Sequence, residues 1–217
     1  MFIKRGWAFS AALLVCGAAN ASLLPTSYDM PNGYGVASGG AFNYWDLNYT
    51  GSGSTNTDGA ALSGGLGDLT DGFIETDNWF NVENASGTGP YVGWRTDFDG
   101  DPTVTFHFGG TAFIDSLTVY ADDSDGAGGV NLPDAVVING VTYDVDQGAS
   151  GTEPKALTFS NLGFSGEALD VEFIHSNAWI FVSEVTFEGS VVPEPASLAA
   201  LGIGAIALIR RKRAKRA

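Results

Sequence analysis

Residues 103–120 read TVTFHFGGTAFIDSLTVY, and this stretch decides the fold class. Apolar and polar residues alternate at both of its ends, which is the period of a half-buried β-strand. The pair Gly109-Gly110 between them predicts a turn, so residues 113–120 are predicted to form the partner strand. The side chains predicted to face inward are Val104, Phe106, Phe108, Leu117 and Val119.

Strand signals continue on both sides of this stretch, and helix signals are nearly absent. Gly, Asn, Asp and Ser recur about every 8–12 residues, a spacing typical of a sandwich or barrel. Asn139-Gly140 suits a type I′ turn and predicts a hairpin. The Gly- and Ser-rich segment 51–65 is predicted to be a loop. Further strands are predicted at 42–49, 91–98, 135–138, 141–145, 157–159, 169–173 and 179–187.

The amino-terminal end has the order of a secretory signal peptide. Lys4 and Arg5 precede an apolar run over 7–19, and small residues follow it. This predicts that a signal peptidase cleaves between Ala21 and Ser22. The single cysteine of the chain lies inside the apolar run, so the exported protein has no disulfide and depends on packing or bound ions for stability.

The carboxy-terminal end has three parts in a fixed order. Pro193-Glu194-Pro195 excludes a helix or strand, the apolar segment 196–209 favours a short helix, and a basic cluster follows. Fourteen helical residues span roughly 21 Å, less than the ~30 Å of a hydrocarbon core. Such a helix enters a bilayer if the basic side chains reach the cytoplasmic interface. From spacing alone, an ordinary weak membrane anchor and a more specialised tail both remain open.

These ends divide the chain into a signal peptide (1–21), a body (22–190) and a tail (191–217). Only two of the ten Lys and Arg residues lie in the body, Arg95 and Lys155, whereas 24 of the 25 acidic residues do. The body therefore carries a net charge of about −22, which repels nucleic acid and anionic lipid. This charge fits a protein that binds divalent cations or neutral sugars, and equally one that needs only solubility in a crowded matrix.

The tail resembles the PEP-CTERM protein-sorting tail of Gram-negative bacteria, which combines the same motif, short helix and basic end. The resemblance implies that an exosortase-type membrane protease cleaves near Pro193, Glu194 and Pro195. It further implies a transient anchor in the inner membrane and release to the cell surface or the exopolysaccharide matrix.

The body resembles the galactose-binding-like jelly roll of the discoidin and coagulation-factor C-domain type over about residues 65–188. The expected fold is therefore all-β, a single jelly-roll β-sandwich. The matching segments, in chain order, are Leu69-Thr70-Asp71-Gly72, Thr76, Trp79, 104–109, 114–119 and 179–187.

In the resembled fold a structural calcium ion ties an early loop to the last strand. Carried over to this chain, Asp71 and Glu184 supply carboxylates, and Thr76 supplies a hydroxyl or carbonyl. Asp68 and Phe73 supply main-chain oxygens. Calcium takes six to eight such oxygens. The alternative is that the loop is only a turn and the glutamate an ordinary strand residue.

Three residues are predicted to contact a ligand: Trp94, Arg95 and His175. The arginine is also predicted to pair with a local carboxylate, and that interpretation is favoured. Trp79 and Trp179 are assigned to the core, as most aromatic residues of sandwiches are. The acidic segments 97–101 and 122–126 are interpreted as turns rather than metal sites, because the first lacks the spacing of a calcium-binding loop.

Enzyme motifs are absent from the sequence: there is no nucleophile elbow, no phosphate-binding loop and no His/Cys metal cluster. We therefore expect no enzyme, but an exported, non-catalytic module that binds carbohydrate or another surface component. A structural matrix protein with no specific ligand is the first alternative. An enzyme acting on polysaccharide is the second, because a glycosidase needs only two carboxylates.

Overall fold

The computed structural model describes residues 21–35, 42–148 and 153–191, and these form an all-β sandwich. Within them, no helix is long and apolar enough to cross a bilayer. The short helices are α1 Trp79–Val82 and α2 Thr96–Asp99, with 3₁₀ turns at Asp68–Thr70 and Ala127–Gly129. The strands are β1 Ala21–Leu23, β2 Ser27–Pro31, β3 Ala61–Gly65, β4 Val92–Arg95, β5 Thr103–Ala121, β6 Ala135–Ile138, β7 Val141–Asp144, β8 Lys155–Ile174 and β9 Trp179–Val191.

Two long antiparallel strands, β5 and β8, run through both layers of the sandwich. The first part of β5, Thr103–His107, lies between β2 and β8. Its second part, Ala112–Ala121, lies between β8 and β9. The first layer is completed by β3, β6 and β7, and the second by β4 and β1, which both pair with β9. β5 and β8 therefore contribute core residues to both layers.

The predicted turn at Gly109-Gly110 is wrong. The two predicted strands are one strand, and the register with β8 shifts between His107 and Ala112. Gly109 has φ +68°, a left-handed conformation that suits a bulge and bends the strand from one layer into the other. The predicted short strands 157–159 and 169–173 are likewise both parts of β8.

The five side chains predicted to face inward from this strand are all buried in the main hydrophobic core. The phase of the alternation changes between Ile114 and Leu117, where a second register shift lies. A smaller cluster contains Trp79 and Trp179, which confirms their assignment to the core. Packing of these alternating apolar side chains from both layers is what stabilises the sandwich.

The hairpin around Asn139-Gly140 is confirmed. β6 and β7 pair from Ala135↔Asp144 to Ile138↔Val141. Both turn residues have positive φ, 48° and 79°, as a type I′ turn requires. Such a turn is decided by two residues, which explains why the sequence predicts it.

Three local predictions are corrected. Residues 42–49 contain only an isolated bridge and turns, although Tyr44 packs on Phe181 of β9 and Tyr49 on Tyr28 of β2. The segment 51–65 is not all loop: its last five residues form β3 against β2. The glycines there allow two backbone segments to approach each other closely, because a Cβ at Gly65 would lie 2.1 Å from the Gly51 nitrogen. The strand predicted at 91–98 ends at Arg95 and continues as α2.

The two ends of the body meet at one sheet edge. Ala21 pairs with Gly189, and Leu23 pairs with Phe187. Signal cleavage between Ala21 and Ser22 would therefore leave most of β1 in place, and it stays a prediction. The motif at Pro193, Glu194 and Pro195, the apolar run at 7–19 and the predicted helix at 196–209 lie outside the described residues. The predicted boundaries 1–21, 22–190 and 191–217 also stay predictions.

Candidate functional site: an acidic cleft

The loop that follows the 3₁₀ turn Asp68–Thr70 packs against β9 and forms one wall of a cleft. Gly72 in this loop has φ +84°, and its N–H donates to Glu184 Oε2 at 2.9 Å. Gly67 precedes the turn, and a Cβ there would lie 2.4 Å from Asp46 Oδ1. Only glycine permits this approach, so the loop is held between β9 and a buried carboxylate.

Two carboxylates lie beneath the loop. Asp46 is fully buried and accepts hydrogen bonds from the Tyr28 hydroxyl and, at 3.2 Å, from the Asp68 N–H. Asp68 is 4% exposed, and its Oδ1 accepts from Asn48 Nδ2 at 2.7 Å. Its Oδ2 is buried without a hydrogen-bond partner. Burial, and next the charge of Asp46, raises the pKa of the Asp68 carboxyl to about 7.

A third buried carboxylate, Glu83, follows α1. It is 7% exposed, and its Oε1 accepts from the Tyr91 N–H at 2.9 Å. Its Oε2 has no partner. A Cβ at Gly89 would lie 2.1 Å from this oxygen, so the glycine leaves the space that the carboxylate occupies. Burial raises the pKa of Glu83 to about 8, and the charges of Asp68 and Glu75 add to this effect.

The cleft between these elements has a volume of about 400 Å³. Acidic and neutral polar side chains line it together with apolar ones, and the lining residue Phe73 is 55% exposed. Neither Arg95 nor Lys155, the two cations of the body, lines it. Its lining residues are Asn48, Asp68, Asp71, Phe73, Glu75, Val82, Thr88, Gly89 and Pro90.

The structure brings the five predicted calcium ligands to the neighbourhood of this loop. Asp68, Asp71 and Phe73 line the cleft, and Thr76 follows in the same loop. The pKa of Glu184 is raised to about 8, by burial first and also by the charge of Asp71, which directly precedes the Gly72 that bonds Glu184. Among the described residues, no three His, Cys, Asp or Glu side chains form a metal-binding group. Calcium binding stays a prediction.

The three residues predicted to contact a ligand lie apart from the cleft and have partners within the protein. Trp94 is 1% exposed, stacks on Phe173 and donates from Nε1 to the Pro31 carbonyl at 2.8 Å. A buried indole presents no face to a sugar, so the ligand role predicted for Trp94 is corrected to a core role. Arg95 pairs with Asp97 at 2.8 Å, as the favoured interpretation predicted, and lies over the Trp179 ring.

His175 also has a structural role. Its side chain is 3% exposed, with Nδ1 3.0 Å from Asp101 Oδ1 and Nε2 3.2 Å from the Trp94 carbonyl. The His175 N–H donates to the same Asp101 oxygen at 2.8 Å. Both ring nitrogens are therefore engaged, which corrects the predicted sugar contact. The acidic turn that holds Asp101 anchors the end of β8.

Sequence reasoning missed several residues of the cleft and of the layer beneath it: Asp46, Asn48, Glu83 and Thr88. The sequence does contain one signal for Asp46, which directly follows the aromatic residues Tyr44 and Trp45. If those aromatic residues are buried, the neighbouring carboxylate is buried with them and needs hydrogen-bond partners. Glu83 follows a helix of four residues, which is too short to give a periodic hydrophobic pattern in the sequence.

Comparison with known families agrees with the fold described above. Residues 25–125 match the DS-like domain of discoidin domain-containing receptors 1 and 2. Residues 191–213 match the PEP-CTERM protein-sorting motif. The chain thus carries a PEP-CTERM sorting motif and, over residues 25–125, is similar to a discoidin-type domain, which confirms both resemblances. The motif implies an exported protein of a Gram-negative bacterium that an exosortase processes.

Several solved structures are similar to the chain. An F5/8 type C domain from Bacteroides fragilis is 10% identical, with a TM-score of 0.44, over 80% of this chain and 98% of that one. The family 32 carbohydrate-binding module of NanJ from C. perfringens, solved with galactose, is 14% identical with a TM-score of 0.36. That match covers 56% of this chain and 82% of the module. The lectin binding domain of lectinolysin, solved as a mutant with Lewis b, is 13% identical with a TM-score of 0.41. That match covers 57% of this chain and 82% of the lectinolysin domain. No curated protein matches the chain.

Proposed function

We propose that this is an exported cell-surface or matrix protein whose body is a non-catalytic carbohydrate-binding module. The observation that carries the proposal is the acidic cleft, with the exposed Phe73 ring beside the polar side chains of Asn48, Asp71 and Glu75. A concave site with an apolar face and a few convergent polar groups is the usual form of a small-ligand site.

The chemistry of the cleft suits a sugar. The C–H face of a pyranose packs on an aromatic ring, while its hydroxyls donate to carboxylate and amide oxygens. Phe73 offers such a ring, and Asp71 and Glu75 offer acceptors on the same wall. The net charge of about −22 on the body and the acidic lining disfavour uronic acids and other anionic polymers.

The position of the cleft also fits surface display. Glu184 contacts the cleft loop from the middle of β9, and β9 ends at Val191, just before the sorting motif. Seven residues of strand separate the two points by about 23 Å. The ligand site therefore lies well away from the place where the tail joins the body.

Phe73→Ala is expected to weaken binding of the mature body to its glycan about tenfold, or 1.4 kcal/mol, because the stacking face is lost. Phe113→Ala is the matched control, since Phe113 is also exposed but projects from β5. A glycan array followed by calorimetry measures both variants. If no glycan binds the body, the structural matrix role replaces this proposal, and turnover of the host exopolysaccharide would favour an enzyme.

The sorting half of the proposal has its own test. Replacing Pro193, Glu194 and Pro195 with alanine is expected to prevent release, because an exosortase-type protease would no longer recognise the tail. Cell fractionation should then find the body with the inner membrane. Unchanged release of the variant would contradict processing at this motif.

We also propose a structural calcium ion between the Asp71 loop and β9. Supporting it are the charge of Asp71 acting on Glu184, whose Oε2 accepts from the Gly72 N–H, and the buried Thr70 Oγ1, which has no partner in the adjacent turn. Asp68, Phe73 and Thr76 would add main-chain or hydroxyl oxygens, the hard ligands that calcium prefers. A bound cation would neutralise the repulsion between the two carboxylates and fix the loop.

A chelator is therefore expected to lower the melting temperature, and calcium to restore it. Saturation at ~100 times the dissociation constant adds about 2.7 kcal/mol, equivalent to roughly 5–10 °C at this size. Glu184→Gln should abolish most of the response, whereas Asp99→Asn, at the last residue of α2, should retain it. Magnesium at equal concentration controls for screening. A melting curve indifferent to chelator would remove the site.

A further inference from the structure

The cleft region contains two carboxylate oxygens that the protein itself leaves without partners. Asp68 Oδ2 and Glu83 Oε2 have no hydrogen bond, although both residues are more than nine-tenths buried. In the described part of the chain, no other carboxylate oxygen is buried in this way. The second oxygen of each group is bonded, to Asn48 and to the Tyr91 N–H respectively. Buried acceptors without donors are unfavourable, so their presence in pairs calls for an external donor.

Both oxygens belong to one region of the molecule. Asp68 lines the cleft directly, and Glu83 Oε2 lies behind Gly89, which also lines it. Asp68 and Gly89 therefore connect both carboxylates to the same cleft. Asp71 and Glu75 add two further acidic side chains to the cleft, and none of the described residues that line it is a cation.

An ammonium group matches this arrangement better than a hydroxyl does. It offers three N–H donors, brings no acceptor of its own, and carries a positive charge. A sugar hydroxyl offers one donor and adds an acceptor that has no donor to meet among the carboxylates. Charge-assisted hydrogen bonds in a partly desolvated cleft are also stronger than neutral ones.

Resting on the carbohydrate-binding function proposed above, we propose that the cleft selects sugars with a free amino group, such as de-N-acetylated hexosamines. The ammonium donates to Asp68 and Glu83, and the pyranose ring packs on Phe73. Glycans in which the same nitrogen is acetylated lose both the charge and two donors, so they bind less well.

The test compares oligosaccharides of equal length and linkage that differ only at C2, which carries an amine, an acetamide or a hydroxyl. Gluco and galacto series are both used, and binding to the whole mature body is measured by calorimetry in chelator. The amine is expected to bind at least tenfold more tightly than the other two. Asp68→Asn and Glu83→Gln should each remove most of this preference, with weak binding of the neutral sugars retained.

A control separates this site from general attraction of a cation to an acidic protein. Asp144→Asn with Asp146→Asn removes two exposed charges far from the cleft and should keep the preference. Melting curves of each variant establish that it is folded.

Equal affinity for the three sugars, or a preference that persists in both cleft variants, would overturn the amine proposal and leave carbohydrate binding intact. Absence of binding to every sugar would overturn both. Calcium that displaces the amine, with its own binding lost in Asp68→Asn, would assign the oxygens to a metal ion instead.

Discussion

Asp122→Ala is expected to lower the melting temperature by about 10 °C. This carboxylate is fully buried and accepts three hydrogen bonds: from the Trp79 N–H at 2.7 Å, Asn78 Nδ2 at 2.9 Å and Ser124 Oγ at 2.8 Å. Its removal leaves several buried donors without an acceptor, each costing about 1–3 kcal/mol. A total near 3–5 kcal/mol corresponds to this shift at roughly 2–4 °C per kcal/mol.

Asp144→Ala is the matched control, because Asp144 lies exposed on β7. Its melting temperature should stay within about 2 °C of the parent, as for most surface substitutions. Thermal unfolding followed by circular dichroism measures both variants. Equal melting temperatures for the two would contradict the structural role given to Asp122, which holds the start of α1 and thereby one side of the cleft.

The second large effect concerns pH. In chelator, the free energy of unfolding is expected to fall as pH rises from 5 to 9. Burial raises the pKa of Asp68 to about 7 and the pKa values of Glu83 and Glu184 to about 8. In the unfolded chain these groups titrate near 4. Between pH 4 and 8 the native state therefore binds more protons than the unfolded state, and the slope of stability against pH is negative.

The stabilisation from these three protonated groups is fully present below about pH 4 and is lost as pH passes 7–8. Together they should make the folded body clearly less stable to urea at pH 9 than at pH 5. Urea unfolding at pH 5, 7 and 9 measures the change. Glu83→Gln should flatten the curve between pH 7 and 9, since the amide stays neutral. A stability that increases with pH over this range would contradict the burial of these carboxyls in a cation-free cleft.

A cation in the cleft region should oppose this pH dependence. Calcium or an ammonium ligand favours the ionised carboxylates, so either one should make stability at pH 9 approach that at pH 5. This links the calcium and amino-sugar proposals to one measurable quantity. Repeating the unfolding series with each ligand separates an effect at Glu184 from an effect at Glu83.

Local signals explain what the sequence predicts correctly. Val104, Phe106 and Phe108 alternate because one face of their strand is buried, and any strand in a sandwich shows this period. Asn139-Gly140 decides its turn through its own backbone preferences. The sorting motif around Pro193, Glu194 and Pro195 is recognised as a linear segment, so no tertiary contact is needed to find it.

The predicted calcium loop is an intermediate case. The resemblance places Asp71, Thr76 and Glu184 together, and the structure shows the loop bonded to β9 through Gly72 and Glu184. That contact spans 112 residues of sequence. Only the known order of segments in a family makes it predictable, and the metal itself stays a prediction.

What the sequence by itself determined is the fold class, the strand faces, the hairpin and the carboxy-terminal sorting motif, all of which depend on neighbouring residues. Tertiary structure alone decided that Gly109 bends one strand instead of ending it, and that Trp94 and His175 lie inside the protein. It also decided that Asp46, Asp68 and Glu83 are buried around one cleft. The physical reason is that the burial and the pKa of a carboxyl depend on which distant segments cover it. A short window of sequence does not identify those segments.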